Sequence, residues 1–112
     1  MERARWLENS IANEYGADGV VVLNVLDHNA YWGPPSDADC SDWRAEAGLS
    51  DTVVLREVGD IYSGEATTAA SYDGDHYMLL LLDVDRRVRI RWGQFWNEGD
   101  LAPTIDDILA GR

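Results

Sequence analysis

The sequence predicts a single α/β domain, spanning residues 1–112, with a mixed four-stranded sheet and helices on both faces. Three observations favour it. Two apolar, β-branched runs in the first half are joined through a helical segment, which is typical of parallel strands. Two strand-like segments in the second half are separated by a tight turn, which is typical of an antiparallel hairpin. A final helix with one apolar side completes the order α-β-α-β-α-β-β-α.

The chain begins with a predicted helix over residues 2–15. Leu7, Ile11 and Tyr15 recur every four residues, so they form one apolar stripe. Gly16 and the residues after it end the helix, because glycine accepts the backbone conformation found beyond a helix terminus.

A strand, a loop and a second helix follow. Residues 20–26 are a nearly continuous β-branched run, which predicts a strand covered on both faces. The loop 27–35 is polar and carries glycine and proline. Ser36 is the predicted N-cap of the next helix, which ends before Gly48. Residues 52–58 are the second strand.

The second half predicts a hairpin and a closing helix. Residues 60–72 favour a short or irregular helix, and residues 76–83 are the most hydrophobic strand. After a turn, Val, Ile and Trp alternate with Arg over residues 87–92, which predicts a strand with one polar face. The last helix covers about 100–110. The expected spatial order of the strands is 2-1-3-4, with the last two antiparallel.

Charge and hydropathy exclude several partners. The chain has 21 acidic residues, nine basic residues that are all Arg, and a net charge of −12, so nucleic acid and anionic lipid are not expected to bind. The longest apolar run, 78–82, is too short to cross a bilayer. We expect no membrane insertion. Because the first residues lack a signal-peptide pattern, the expectation is a cytoplasmic protein, or an exported domain if the chain is part of a longer one.

Local sequence matches point to a family. Residues 21–24, Val-Val-Leu-Asn, resemble the strand that opens TlpA-type redoxins, and 81–85 followed by the Arg-rich strand resemble their hairpin. Residues 97–109 resemble their final helix. Over residues 20–110 the chain therefore resembles the redoxin (AhpC/TSA-like) family, and this resemblance implies a thioredoxin-like fold.

The chain departs from that family at the active site. The family carries Trp-Cys-x-x-Cys where a helix begins, and a single cysteine, Cys40, excludes an internal disulfide here. In one alignment, residues 32–36 replace both thiols by Gly and Ser. In the other, residues 40–46 keep the first thiol and replace the second by Trp43. Either way the paired thiols are missing.

The first functional hypothesis is a binding or scaffold module that uses the loop edge. If Tyr31 and Trp32 are exposed they mark a partner-binding patch, and if they are buried they close the loop over the sheet. The partner would be a protein or a thiol substrate, and we expect no cofactor. The candidate binding residues are Tyr31, Trp32, Gly33, Pro34, Pro35, Ser36, His76 and Tyr77.

The alternative is a one-cysteine redox protein of the peroxiredoxin or thiol-reductase type, in which Cys40 is catalytic. The neighbouring carboxylates of Asp37, Asp39 and Asp42 argue against it, because they raise a thiol pKa and suppress the thiolate. On the competing interpretation Cys40 is a half-buried core residue of an amphipathic helix.

A second resemblance concerns metal binding. Asp75-His76 before an apolar strand resembles a segment of the Sco copper chaperones, which share the thioredoxin-like fold. That resemblance implies a copper site made by Cys40, His76 and His28, with Met78 nearby. Since it requires separated residues to converge, we expect no metal site from the pattern itself.

Overall fold

The structure, a computed structural model, describes residues 2–71, 78–93 and 97–111. It contains both α-helices and β-strands, which confirms the predicted α/β class. The chain divides into two compact units, Met1–Asp73 and Gly74–Arg112. The sheet differs from the prediction, because the described strands form two sheets of two strands each instead of one four-stranded sheet of order 2-1-3-4.

The first unit alternates helices and strands in the predicted order. Its N-terminal helix contains a π-helical stretch, Glu8–Ala12, and ends in a 3-10 turn, Gly16–Asp18, followed by Gly19 with φ +90°. A second 3-10 turn covers Ile61–Ser63. The remaining elements are α1 (Glu2–Leu7), α2 (Asn13–Tyr15), β1 (Leu23–Leu26), α3 (Asp37–Ala47), β2 (Val53–Arg56) and α4 (Thr67–Ser71).

Strands β1 and β2 are parallel neighbours, as predicted. Their register pairs Leu23 with Val53 and Leu26 with Arg56, and α3 lies between them in the sequence. Since both strands run in the same direction, their carboxyl ends meet at one edge of the sheet. The loop after β1 and the segment after β2 both start at that edge.

The prediction that the first strand is covered on both faces is wrong. Val21, Leu23 and Val25 are exposed, and the register places Val53 and Leu55 on the same open face. The physical reason is that the packed cluster of this unit includes β2 through Val54, which points to the opposite face. A β-branched run therefore reports strand propensity here, and not burial on two sides.

The core of the first unit lies where α1, α3 and β2 meet. Ala4, Ala47, Leu49 and Val54 are buried together. Cys40 and Trp43, three residues apart along α3, are partly buried against this cluster, and Trp43 lies four residues before the buried Ala47 on the same face. The guanidinium of Arg5 also donates to the backbone oxygen of Glu46 at 2.8 Å, which joins α1 to the end of α3.

A buried carboxylate, which the sequence analysis did not single out, links the N-terminal helix to β2. Glu8 is only 2% exposed, and its side chain accepts hydrogen bonds from the backbone N–H groups of Asp51 and Thr52 at 2.8 and 2.9 Å. These bonds compensate for the burial of the charge. Ala4 and Ala12, four residues to either side of Glu8, are buried on the same face of the helix.

The second unit contains an antiparallel hairpin and a helix, as predicted. Strand β3 (Leu79–Leu82) pairs with β4 (Val88–Trp92), and helix α5 (Leu101–Leu109) follows a 3-10 turn, Glu98–Asp100. A carboxylate oxygen of Asp83 accepts the backbone N–H groups of residues 85 and 87, which holds the hairpin turn. Over the described ranges, no helix combines the length and the apolar composition needed to cross a bilayer.

Candidate functional site

The carboxyl edge of the β1–β2 pair carries the loop that the sequence analysis selected. The pairing continues one step beyond the strands, because the backbone N–H of Glu57 donates to the oxygen of Leu26 at 2.8 Å. In α/β proteins, ligands bind at the carboxyl ends of parallel strands, where loops from neighbouring strands converge. Loop 27–36 and the segment 57–63 are the two parts that meet here.

Asn29 fixes the conformation of loop 27–36. Its Oδ1 accepts the backbone N–H groups of Tyr31 and Gly33 at 2.8 and 3.0 Å, and its own N–H donates to the oxygen of Gly33 at 2.9 Å. Its Nδ2 donates to the oxygen of Pro34 at 3.3 Å. An asparagine that bonds to nearby backbone in this way sets a turn without help from a sheet or helix. The loop is therefore ordered by its own residues.

Trp32 adopts an uncommon backbone conformation within this turn. Its φ is +64°, in the left-handed region that glycine and asparagine prefer and bulky side chains avoid. Its N–H donates to the oxygen of Asn29 at 3.2 Å. Such a conformation persists only where the surroundings enforce it, and here the asparagine-centred bonds do so.

Three rings meet at the edge. The rings of His28 and Trp32 are stacked, with centroids 5.0 Å apart and an interplanar angle of 21°. The ring of Tyr62, from the 3-10 turn after β2, lies 5.8 Å from each of them and makes an edge contact with Trp32. We call His28, Trp32 and Tyr62 the aromatic trio. The trio joins the two segments of the edge through side chains that are distant in the sequence.

The loop aromatics are exposed and do not close over the sheet. Tyr31 is 90% exposed and Trp32 is 62% exposed, whereas Pro35 is buried and anchors the end of the loop. Of the two alternatives stated for these aromatics, the solvent-facing one is the arrangement found.

Two carboxylates contact the trio. Oδ1 of Asp27 lies 3.7 Å from Nε2 of His28, and the side chain of Asp60 accepts the backbone N–H of Tyr62 at 2.9 Å. Loop 27–36 and the segment 57–63 contain no Arg and no Lys. Their three carboxylic residues are Asp27, Glu57 and Asp60, of which Glu57 is buried. Acidic residues are thus the only formally charged side chains that these segments supply.

The start of α3 is built as a helix cap. The hydroxyl of Ser36 accepts the N–H of Asp39 at 3.2 Å, and the carboxylate of Asp39 accepts the N–H of Ser36 at 2.7 Å. This capping box and the left-handed Gly48 confirm the predicted limits of the helix. Ser36 is therefore engaged in capping at the place where the first alignment would put a thiol.

Cys40 lies one turn into α3 and faces the core cluster. Burial raises the pKa of its thiol, and the carboxylate of Asp37 raises it further. The positive charge of Arg56 acts in the opposite direction, but it also pairs with Asp37 at 2.8 Å. The net effect is a raised pKa of the Cys40 thiol. A raised pKa keeps the thiol protonated near neutral pH and suppresses its nucleophilicity.

The remaining predicted site residues fall in two groups. His76 and Tyr77 lie outside the described residues. Cys40 and His28 are described, and no group of three His, Cys, Asp or Glu side chains in the described ranges is arranged to hold a metal ion.

Comparison with other proteins adds no identification. No protein-family model, no curated protein and no solved structure matches the chain.

Sequence reasoning missed three residues of this edge, namely Asn29, Asp60 and Tyr62. Asn29 had a usable signal, because asparagine four residues before a glycine in a polar loop favours a turn. Asp60 had a weaker one, as a capping residue before a short helical segment. Tyr62 had none, since its contact with Trp32 depends on how β1 and β2 pair.

Proposed function

We propose that this chain is a binding module of the redoxin family with a thioredoxin-like fold, and that it works without a dithiol. Its partner docks on the carboxyl edge of β1 and β2, at the aromatic trio. The observation that carries the proposal is the trio itself. Its three rings are in mutual contact, two of them lie on the loop fixed by Asn29, and Trp32 is largely in solvent.

Physical arguments connect that arrangement to binding. Aromatic side chains dominate the binding energy of protein interfaces when they form a packed centre. A surface that is already ordered loses less conformational entropy on association, so the contacts give more net affinity. Trp32 has a left-handed φ, so the loop holds an unfavourable backbone conformation at the residue whose ring is presented to solvent.

The order of the described elements supports the family part of the proposal. The parallel strands β1 and β2 joined through α3, and the antiparallel hairpin followed by α5, are the two segments from which a thioredoxin-like chain is built.

The one-cysteine redox alternative is disfavoured by the surroundings of Cys40. A peroxidatic or thiol-reductase cysteine requires a lowered pKa and an electropositive setting. Here burial and Asp37 act together to raise the pKa, and the side chain contributes to packing against the core cluster.

The binding proposal is tested by selecting peptides from a random display library on the wild-type protein. The selected peptides are then titrated against W32G and Y62A. As a matched control we choose V84A, which truncates a 93% exposed apolar residue in the hairpin turn of the other unit. We expect the trio variants to lose at least about tenfold in affinity, and V84A to lose less than twofold, because hot-spot residues cost about 2 kcal/mol or more when truncated and about 1.4 kcal/mol is tenfold.

Two outcomes would contradict the proposal. One is a set of selected peptides that bind W32G and Y62A as tightly as the wild type. The other is a selection that yields no binder, together with peroxide consumption that a C40S substitution abolishes, because this result would assign the activity to the thiol.

A further inference from the structure

We infer that the partner presents arginine to this edge, with a guanidinium stacked on the open face of Trp32 and attracted by the acidic side chains of the two segments that form the edge. The inference rests on the proposed function and names the chemistry of the partner. The proposed partner is a cationic peptide segment of another protein.

The geometry leaves one face of the indole ring free of the other two rings. The His28 ring covers one face of Trp32 at 5.0 Å. If Tyr62 lay on the opposite face of Trp32, the distance from Tyr62 to His28 would be close to the sum of their distances to Trp32, which are 5.8 and 5.0 Å. The centroids of Tyr62 and His28 are only 5.8 Å apart. Tyr62 therefore lies on the His28 side or at the ring edge. With 62% of Trp32 exposed, the second face is available to a ligand.

The charge at the edge selects a cation. Loop 27–36 and the segment 57–63 supply three carboxylic residues and no Arg or Lys, within a chain of net charge −12. Glu57 is buried, whereas Asp27 lies beside the ring of His28 and Asp60 accepts the backbone N–H of Tyr62. The basic residue at the end of β2, Arg56, is paired with Asp37. A cationic ligand is attracted to this surface, and an anionic ligand is repelled.

An exposed tryptophan face beside carboxylates suits arginine better than lysine. The face of an indole ring attracts cations through its quadrupole, and the planar guanidinium can stack on it while its N–H groups donate to a carboxylate. An ammonium group is a strongly hydrated point charge that cannot stack. A neutral extended peptide would use the aromatic surface but leave the carboxylates unused.

The test uses three synthetic peptides of identical Gly/Ser background, in which two positions carry arginine, lysine or citrulline. Citrulline is the neutral analogue of arginine, so it separates charge from shape. Affinities of the full chain are measured by calorimetry at low and at raised salt. We expect the arginine peptide to bind about 3- to 30-fold more tightly than the citrulline peptide, with lysine between them, and salt to weaken the arginine complex.

Two pairs of variants locate the effect. W32G is expected to remove the preference for arginine over citrulline, while V84A retains it. D27N is expected to weaken arginine binding about 3- to 10-fold. Its matched control is D18N, which removes the same charge from the turn at the amino end of β1. D18N is expected to change the affinity less than twofold, because a distant exposed charge is screened.

The results separate this inference from the proposed function. If the citrulline and arginine peptides bind equally, or if the selected library peptides depend on Trp32 but are neutral or acidic, the inference is wrong and the binding function stands. If no selected peptide depends on Trp32, both are wrong. Loss of arginine binding in D27N and D18N alike would also overturn the inference, because it would show only a general charge effect.

Discussion

Trp32 combines an unfavourable backbone conformation with a largely exposed aromatic side chain. Its left-handed φ is unfavourable for a bulky side chain, and a residue chosen for the turn alone would be glycine or asparagine. The ring also contacts His28 and Tyr62, which offsets part of that cost. The side chain is best explained by what it presents to solvent.

That tension gives a stability prediction. In W32G, relief of about 1–2 kcal/mol of backbone strain opposes the loss of two ring contacts of about 0.5–1.5 kcal/mol each, so the free energy of unfolding should fall by no more than about 2 kcal/mol. W32A loses the same ring contacts but relieves little of the backbone strain, because alanine also avoids a left-handed φ, so W32A should be less stable than W32G. Urea unfolding measures both. A loss of several kcal/mol in W32G would indicate that the ring is a structural element.

Cys40 gives a prediction about reactivity. Because burial and Asp37 raise the pKa of its thiol, native protein at neutral pH should react with a disulfide reagent more slowly than unfolded protein. D37N should speed the reaction, since it removes a carboxylate and releases Arg56 from its ion pair. D18N, which removes a distant charge, should leave the rate unchanged. Labelling as fast as that of a free low-pKa thiol would support the redox alternative instead.

Asp83 gives a prediction about pH. Hydrogen bonds from the backbone N–H groups of Arg87 and Asp85, together with the charges of Arg89 and Arg87, lower the pKa of its carboxyl in the folded protein. A lowered folded pKa means that the carboxylate stabilises the hairpin above the unfolded pKa of about 3.9, and that this contribution is lost as pH falls through the folded value.

Melting temperatures at pH 6 and at pH 3 measure the effect of that carboxylate. Wild type should lose more stability on acidification than D83N, whose amide oxygen can still accept both N–H groups but has no charge to titrate. Equal losses in the two proteins would show that Asp83 does not couple the hairpin to pH.

At the scale of elements, the turn after β2 depends on Gly59. Its φ is +90°, and a Cβ at this position would collide with the backbone carbonyl of Glu65. This close approach accompanies the hydrogen bond from the N–H of Thr67 to the oxygen of Val58 at 2.9 Å, which returns the chain to the end of β2. The segment carrying Tyr62 is therefore held by the close approach of Gly59 to Glu65 and by the hydrogen bond between Thr67 and Val58.

Substituting this glycine tests that description. G59A should lower the free energy of unfolding by at least about 2 kcal/mol, because it combines backbone strain with a backbone clash. G16A is the matched control, since a Cβ there meets nothing within 4 Å and φ is helical, and its effect should stay within about 0.5 kcal/mol. Chemical denaturation distinguishes the two, and equal stability of both variants would contradict the close approach.

The helices and strands were predictable because they depend on neighbouring residues. The burial of particular faces and side chains was not, because it depends on packing between distant parts of the chain. The caps at Ser36 and Gly48 fixed α3 because capping involves only neighbouring residues. The open face of β1 was missed because a β-branched run is equally compatible with one covered face or two. The buried Glu8 was missed because its partners are more than forty residues away.

The candidate site was likewise predictable only in its local part. The loop with Tyr31 and Trp32 was selected from the sequence, and both residues face solvent in the structure. The contribution of Tyr62 follows from the parallel pairing of β1 with β2, which brings the two following segments to one edge. Periodicity and composition contain no information about that juxtaposition.

The molecule as a whole has an acidic chain, a thiol whose raised pKa keeps it protonated, and an exposed aromatic edge. These features are unfavourable for disulfide exchange and favourable for docking of a cationic segment. A molecule that used its cysteine would instead place the thiol in a positive, solvent-accessible setting.

The most direct test of the central claim is chemical-shift mapping of the ¹⁵N-labelled chain with a peptide selected on it. The account predicts shifts confined to residues 27–36 and 57–63 and to the indole N–H of Trp32, with no adduct at Cys40 by mass spectrometry. Shifts centred on β4 or α5, or a mixed disulfide at Cys40, would contradict it.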